Sequence, residues 1–202
     1  MANEAYYRNS KKELQQIRDL VAESELPDRD NELLLIDIYI AIIDKDITHL
    51  DRSAINKMKE KVFTISNFDE DGLILYCNFM NFYDLNSNLV LSKRLVKQFI
   101  GSSSVKIQKV VLGIVINMLI LCIQDKKFEE TETFINYANQ IKAQPDIFFY
   151  KEIIPVFDNV VKYYYEHDKK YIDRATKIIE SIKLAGMSEY GKNLEKLLIA
   201  NK

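Results

Sequence analysis

The stretch that decides the fold is residues 102–143, with the sequence SSSVKIQKVVLGIVINMLILCIQDKKFEETETFINYANQIKA. Its three leading serines offer N-caps for a long apolar helix that ends near Ile123. An Asp125-Lys-Lys-Phe128 turn comes next, and the amphipathic pattern from Lys126 to Ala143 predicts a second helix. The stretch therefore predicts a helical hairpin.

A similar hairpin recurs 43 residues further along the chain. Asp168-Lys-Lys-Tyr171 repeats Asp125-Lys-Lys-Phe128, and Thr176 repeats Thr133 at the same offset. Helical hairpins that repeat roughly every 34 to 47 residues are typical of α-solenoids. The tetratricopeptide motif itself is missing from the sequence, and a chance likeness between two helices of an all-α protein stays an alternative.

Composition supports helices over sheets. The 202 residues include only five glycines and three prolines, while 48% of the chain is apolar. A sheet protein needs turn residues at short, regular intervals, and this chain does not supply them. We therefore expect an all-α fold, a right-handed α-solenoid of tetratricopeptide-like helical hairpins with about ten helices.

The inventory of reactive side chains argues against catalysis. The two histidines, His49 and His167, stand far apart, and all five glycines are isolated, so neither a metal cluster nor a phosphate loop is indicated. Cys77 and Cys122 lie in apolar helical stretches, where a thiol is usually a small buried hydrophobe. We expect no enzyme activity, no cofactor and no metal site.

Charge and hydropathy exclude two further classes of partner. With a net charge of −2, the chain has no excess of positive charge that would indicate a surface for binding nucleic acid. The longest apolar run, Val110 to Ile123, is interrupted by Gly113 and Asn117, so we expect no membrane span. The first residues lack the pattern of a signal peptide. We therefore expect a soluble, cytoplasmic protein.

Several motifs, in order, carry a resemblance to a known family. They are INKMKEKVFTISNF at 55–68, LILYCN at 73–78, VIN at 115–117, ATKIIESIKLAG at 175–186 and YGKNL at 190–194. In this order they resemble the C-terminal regulatory domain of the Rgg/GadR/MutR family of bacterial transcriptional regulators. Two positions depart from the family pattern, because Phe68 stands where a Trp is usual and Gly72 where a Glu is usual.

The resemblance implies a helical-repeat domain that binds a short signalling peptide on its concave face and forms a homodimer. Family members begin with a helix-turn-helix DNA-binding domain, which nothing before Glu4 can encode. The first helix resembles the linker that follows that domain, so we assign residues 1–27 to a linker helix and 28–202 to the peptide-sensing domain. DNA would be reached only through the missing domain.

Carboxamides suit the backbone of an extended peptide, because each can donate one hydrogen bond and accept another. We expect the groove on the helices at 69–84, 102–123 and 148–166. The residues predicted to bind the peptide are Asn78, Asn117, Tyr76, Asn81, Lys109 and Tyr164. Asn117 could instead be a core amide, while Asn81 and the lysines, Lys106 included, could be ordinary solvated surface.

The last hairpin, Lys169 to Ala200, has more apolar residues than one helix needs to pack. We predict that it forms the dimer interface, through Leu184, Met187, Leu194, Leu197 and Leu198. The alternative is that these residues cap their own core. A second hypothesis for the whole chain is a helical-repeat adaptor that binds a protein partner and has no role in transcription.

Overall fold

The structure is a computed structural model that describes residues 2–44, 46, 48–65 and 68–201. Within these ranges the chain forms eleven α-helices and no strand. The first six are α1 (Ala2–Tyr7), α2 (Lys11–Ala22), α3 (Arg29–Asp44), α4 (Arg52–Thr64), α5 (Glu70–Phe79) and α6 (Leu85–Phe99). The other five are α7 (Val105–Gln124), α8 (Thr131–Gln140), α9 (Phe148–Glu166), α10 (Lys169–Leu184) and α11 (Ser188–Ile199).

The predicted all-α class is confirmed for these residues, and the solenoid with its right-handed twist stays a prediction. Most helices pack against the next one along the chain, as in α6 with α7, α9 with α10, and α10 with α11. Ser66 and Asn67, two positions of the first family motif, lie outside the described residues.

Helix α7 is the centre of the main core, and α5, α6, α8 and α9 all pack against it. Its buried side chains point to several sides of the helix, which explains why its sequence is apolar nearly all the way round. Among the described residues, α7 is also the one helix long and apolar enough to cross a membrane, with half of that stretch buried in the protein. A helix in the core of a protein can have the same length and the same apolar composition.

The N-terminal helices form a second, smaller core. Helices α1, α2 and α3 pack on one another around Ala5, Leu14, Ile36 and Tyr39. The linker predicted as one helix is interrupted, because the chain breaks into α1 and α2. Asn9 adopts a left-handed φ of 54°, and the Ser10 hydroxyl caps α2 by accepting a hydrogen bond from the Glu13 amide.

The two repeated turns differ in their backbone. After α7 the left-handed residue is Lys126, with φ 58°, whereas after α9 it is His167, with φ 54°. Asp168 then caps α10 directly, while a short 3₁₀ turn at Phe128–Glu130 precedes α8. The repeat in the sequence therefore corresponds to two helical hairpins with different connections.

In the last hairpin, the apolar residues divide between the core and the surface. Leu194 and Leu198 are 4% and 2% exposed and belong to the main core, so they are not available to a partner chain. Met187 and Leu197 pack partly against that core. Leu184, at the end of α10, is 89% exposed. Two of the five predicted dimer contacts therefore stabilise their own chain, as the alternative expected.

Candidate functional site

A cavity of about 350 Å³ opens between α5, α7 and the start of α9. We call it the central cavity. Side chains from α1, α3 and α11 complete its wall, so six helices contribute to it. Its lining residues are Tyr6, Tyr39, Ile42, Ile74, Cys77, Asn78, Asn81, Lys106, Lys109, Val110, Gly113, Ile116, Asn117, Ile120, Phe149, Tyr150 and Tyr190.

One stripe of α7 supplies the floor of the central cavity. Lys109, Gly113 and Asn117 follow one another at intervals of four, which places them on one face of a helix, and Ile120 continues the stripe. A Cβ added at Gly113 would lie 3.3 Å from the Cys77 sulfur, a tight contact. The glycine therefore lets α5 approach α7 closely at the cavity.

Asn117 joins the two helices that carry the cavity. Its amide nitrogen donates a hydrogen bond to the backbone carbonyl of Cys77 at 3.4 Å, and it lies near the sulfur atoms of Cys77 and Met80. Its Oδ1 accepts no hydrogen bond from the part of the chain that the structure describes. Asn117 is half-buried, so this oxygen is a hydrogen-bond acceptor on an otherwise apolar floor.

Asn78 stands beside it on α5 and is held from the other side. The Tyr39 hydroxyl donates to Asn78 Oδ1 at 3.4 Å, and the Tyr39 ring stacks on Tyr6 with centroids 4.6 Å apart. Burial raises the pKa of the Tyr39 hydroxyl well above its ordinary value, so it stays a donor. Within the described residues, the Asn78 amide nitrogen has no acceptor and is left to donate to a ligand.

Two lysines stand at the mouth of the central cavity. Lys106 is paired with Glu70, and this hydrogen-bonded carboxylate raises the pKa of the exposed ammonium. Lys109 is half-buried, and none of the carboxylates that the structure describes is close enough to pair with it. Lys109 is therefore the cation that is available to an acidic group in the cavity.

Aromatic rings form the wall opposite the asparagines. Phe149 lies edge-on to Tyr150, with centroids 5.8 Å apart, and lies 5.5 Å from the Tyr190 ring. Sequence reasoning missed these three rings, together with Tyr6 and Tyr39. They come from four helices that are far apart in the sequence, and no periodic pattern links them. Tyr190 alone falls in a segment that carried the family resemblance.

Four of the six predicted peptide-binding residues line the central cavity, namely Asn78, Asn81, Lys109 and Asn117. Tyr76 does not line it, because it is fully buried and its hydroxyl bonds Asn88 Oδ1 at 3.0 Å and the Ser92 hydroxyl at 2.7 Å. Residues two positions apart in a helix face different sides, so Tyr76 could not share a wall with Asn78.

Tyr164 also lies away from the central cavity. Its ring stacks on Phe128 with centroids 3.9 Å apart, near the end of α9, whereas the cavity lies at the start of that helix, beside Phe149. Tyr164 therefore lies on a helix of the predicted groove, at the end away from the central cavity. Among the described residues, no group of acidic, histidine or cysteine side chains could hold a metal ion.

Comparisons with known proteins agree on one family. The family model described as the C-terminal domain of the HTH-type transcriptional regulator Rgg matches residues 11–196. The X-ray structure of the Streptococcus dysgalactiae SHP pheromone receptor Rgg2 superposes with a TM-score of 0.71 at 15% identity, over 100% of this chain and 75% of that one.

A second crystal structure, of a variant of the same Streptococcus dysgalactiae receptor, superposes with a TM-score of 0.68 at 16% identity. It covers 96% of this chain and 70% of that one. At such identities the likeness shows the fold alone. No curated protein matches this chain.

Proposed function

The chain belongs to the Rgg family of transcriptional regulators, whose C-terminal domain it matches, and from that premise we propose that it senses a short signalling peptide. The peptide would bind in the central cavity and its binding would be passed to a DNA-binding domain. The observation that carries this proposal is the pair of carboxamides, Asn78 and Asn117, on neighbouring walls of one cavity.

The two amides offer complementary groups. The Asn78 nitrogen is left to donate and the Asn117 oxygen is left to accept, since their other atoms are held by Tyr39 and by the Cys77 carbonyl. An extended peptide presents carbonyl and N–H groups that need such partners once they leave water. The backbone of a bound peptide would therefore find both a donor and an acceptor in the cavity.

The rest of the cavity suits peptide side chains. Its apolar and aromatic walls exclude water, and a few polar groups fix orientation, which is the usual chemistry of a ligand site. A volume of about 350 Å³ is near the lower end for such sites, so it would hold only part of a peptide. Lys109 would pair with an acidic side chain or with the terminal carboxylate.

The route to DNA binding would run through the N-terminal helices. Tyr39 belongs to the small core of α1, α2 and α3 and also bonds Asn78 in the cavity. A peptide that accepts a hydrogen bond from the Asn78 nitrogen would fix the Asn78 side chain, and the Tyr39 hydroxyl bonded to Asn78 Oδ1 would pass this change to the three helices. We assign residues 1–27 to the linker and 28–202 to the sensing domain, and we place the protein in the cytoplasm.

We propose that the chain forms a homodimer through the last hairpin. Only the exposed side chains of this hairpin would form the interface. Leu184 is 89% exposed and Ile199 is 59% exposed, and exposed apolar side chains favour burial against a partner. Sedimentation at micromolar concentration would show a dimer, and a monomer of the chain mass, 23.7 kDa, would contradict it.

The experiment that tests the sensing function is a selection from a library of short synthetic peptides on the immobilised chain. We expect the wild type to enrich a limited set of sequences, and Asn117→Ala to retain them poorly. Asn139→Ala, at an exposed position of α8 outside the cavity, is the matched control. Enrichment that is equal on all three proteins would contradict the proposal. A wild type that retains no peptide of the library would contradict the sensing function and leave the adaptor hypothesis.

A further inference from the structure

A second open space lies next to the central cavity, between the second half of α7 and α11. We call it the α7–α11 groove. Its volume is about 620 Å³, larger than that of the central cavity. Ile120 and Leu197 supply its accessible apolar surface, the buried Ile123 and Leu194 lie beneath them, and Ala200 lies at its end.

The groove and the central cavity adjoin each other. Ile120 and Tyr190 line both spaces, which places the groove directly beside the central cavity. The same side of α7 runs along both, from Lys109 through Asn117 to Ile123. A single extended ligand could therefore follow this helix without turning.

The chemistry of the groove repeats that of the central cavity. Its surface is apolar, and its rim includes the carboxamides of Gln124 and Asn193, neither of which bonds another group of the described chain. Apolar walls with amide side chains at the edge suit an extended peptide, which must bury side chains and satisfy its backbone together.

We propose that the α7–α11 groove is the second half of the ligand site, and that it takes the apolar side chains at one end of the bound peptide. This inference rests on the proposed function. Lys109 and Ile123 are fourteen positions apart in α7, which is about 21 Å along the axis. An extended peptide rises roughly 3.3 Å per residue, so about six residues span both spaces.

A second copy of the chain is the other possible occupant, and the exposed residues argue against it. Leu184 and Ile199, the exposed apolar side chains of the last hairpin, line no part of the groove. The groove adjoins the central cavity, whereas those two side chains line neither space. The dimer surface and the groove are therefore separate.

The test is to fill the groove in the full chain and repeat the selection with a library of synthetic hexapeptides. Ala200 is exposed at the end of α11, so Ala200→Phe adds a ring to the groove without removing a core contact. Ala143→Phe, at an exposed position outside the groove, the central cavity and the proposed dimer surface, is the matched control. Asn193→Phe fills the groove from another position and replaces Ala200→Phe in the experiment if that variant does not fold.

We expect Ala200→Phe to lower the affinity of the selected peptides by about tenfold or more, since a buried apolar side chain loses its site. Versions of these peptides that lack the terminal apolar residues should bind Ala200→Phe and the wild type equally. Ala143→Phe should behave as the wild type does.

Three results would overturn the inference, and they are distinguishable. If the wild type retains no peptide, the proposed function fails and this inference fails with it. If the wild type selects peptides and both groove-filling variants bind them with unchanged affinity, only the groove assignment is wrong. If Ala200→Phe instead dissociates a dimer of the peptide-free chain, the groove is an interface between copies.

Discussion

The side-chain amide of Asn117 on α7 donates to the backbone carbonyl of Cys77 on α5, at 3.4 Å. This bond crosses between two helices at the place where Gly113 allows them to approach. It uses the donor half of the carboxamide and leaves the acceptor half on the floor of the central cavity. The orientation of the Asn117 amide is therefore set by the protein before any ligand arrives.

Replacing Asn117 by alanine should lower the affinity of a selected peptide five- to a hundredfold. The loss corresponds to about 1–3 kcal/mol for a buried backbone group that loses its partner. The fold should survive, because alanine favours a helix interior. Calorimetry of the selected peptide on Asn117→Ala, with Asn139→Ala as control, measures the change. Unchanged affinity, or a variant that unfolds, would make Asn117 a structural core amide.

Replacing Tyr39 by phenylalanine tests the link between the cavity and the N-terminal helices. The ring and its stacking on Tyr6 remain, while the hydrogen bond to Asn78 is lost. In the wild type, peptide binding should change amide hydrogen exchange in α1, α2 and α3. In Tyr39→Phe that change should shrink although peptide still binds. Tyr165→Phe, at an exposed position, is the control, and an equal response in both variants would contradict the link.

Tyr76→Phe tests the corrected position of Tyr76. Its hydroxyl is buried between Asn88 and Ser92, so its removal leaves polar groups without their partner. We expect a loss of about 1–3 kcal/mol in the free energy of unfolding, measured in urea. Peptide affinity should not change. A selective loss of affinity with normal stability would return Tyr76 to the binding site.

The stability of the protein should fall at alkaline pH. Burial raises the pKa of the Cys77 and Cys122 thiols to about 12, from an ordinary value of 9.0. Between these values the unfolded thiols lose their protons while the folded ones keep them, so rising pH favours unfolding. Urea unfolding at pH 8 and pH 10 should differ by on the order of 2 kcal/mol.

A variant with both cysteines replaced by alanine serves as the control for this pH dependence. It should lose less stability over the same interval, whatever its stability at neutral pH. An equal slope in the wild type and the double variant would show that other groups, such as the buried tyrosines, carry the pH dependence.

The sequence predicted helices well because its signals for them are local. Ser104 caps α7 as predicted, and Gly186, with φ 94°, follows the end of α10. Signals that compete locally were harder to weigh, because Asp51 caps α4 although Ser53 stands two residues later, and Asn9 breaks the predicted linker helix. A single polar residue with a left-handed φ hardly changes the hydrophobic periodicity of the sequence, so the periodicity does not predict such a break.

The candidate site was predictable only in part, for a geometric reason. The carboxamides Asn78 and Asn117 interrupt apolar helices, which singles them out in the sequence. The aromatic wall does not stand out, because Tyr39, Phe149 and Tyr190 meet only when three distant helices pack together. Which end of α9 faces the cavity likewise depends on tertiary packing, and this is why Tyr164 was misplaced.

The most direct test of the central claim is to follow the side-chain amide signals of Asn78 and Asn117 by nuclear magnetic resonance during titration with a peptide selected on the wild type. Both signals should shift and saturate together with binding, while the signal of the exposed Asn139 amide should not move. Saturated binding with both cavity amides unmoved would show that the peptide binds outside the central cavity.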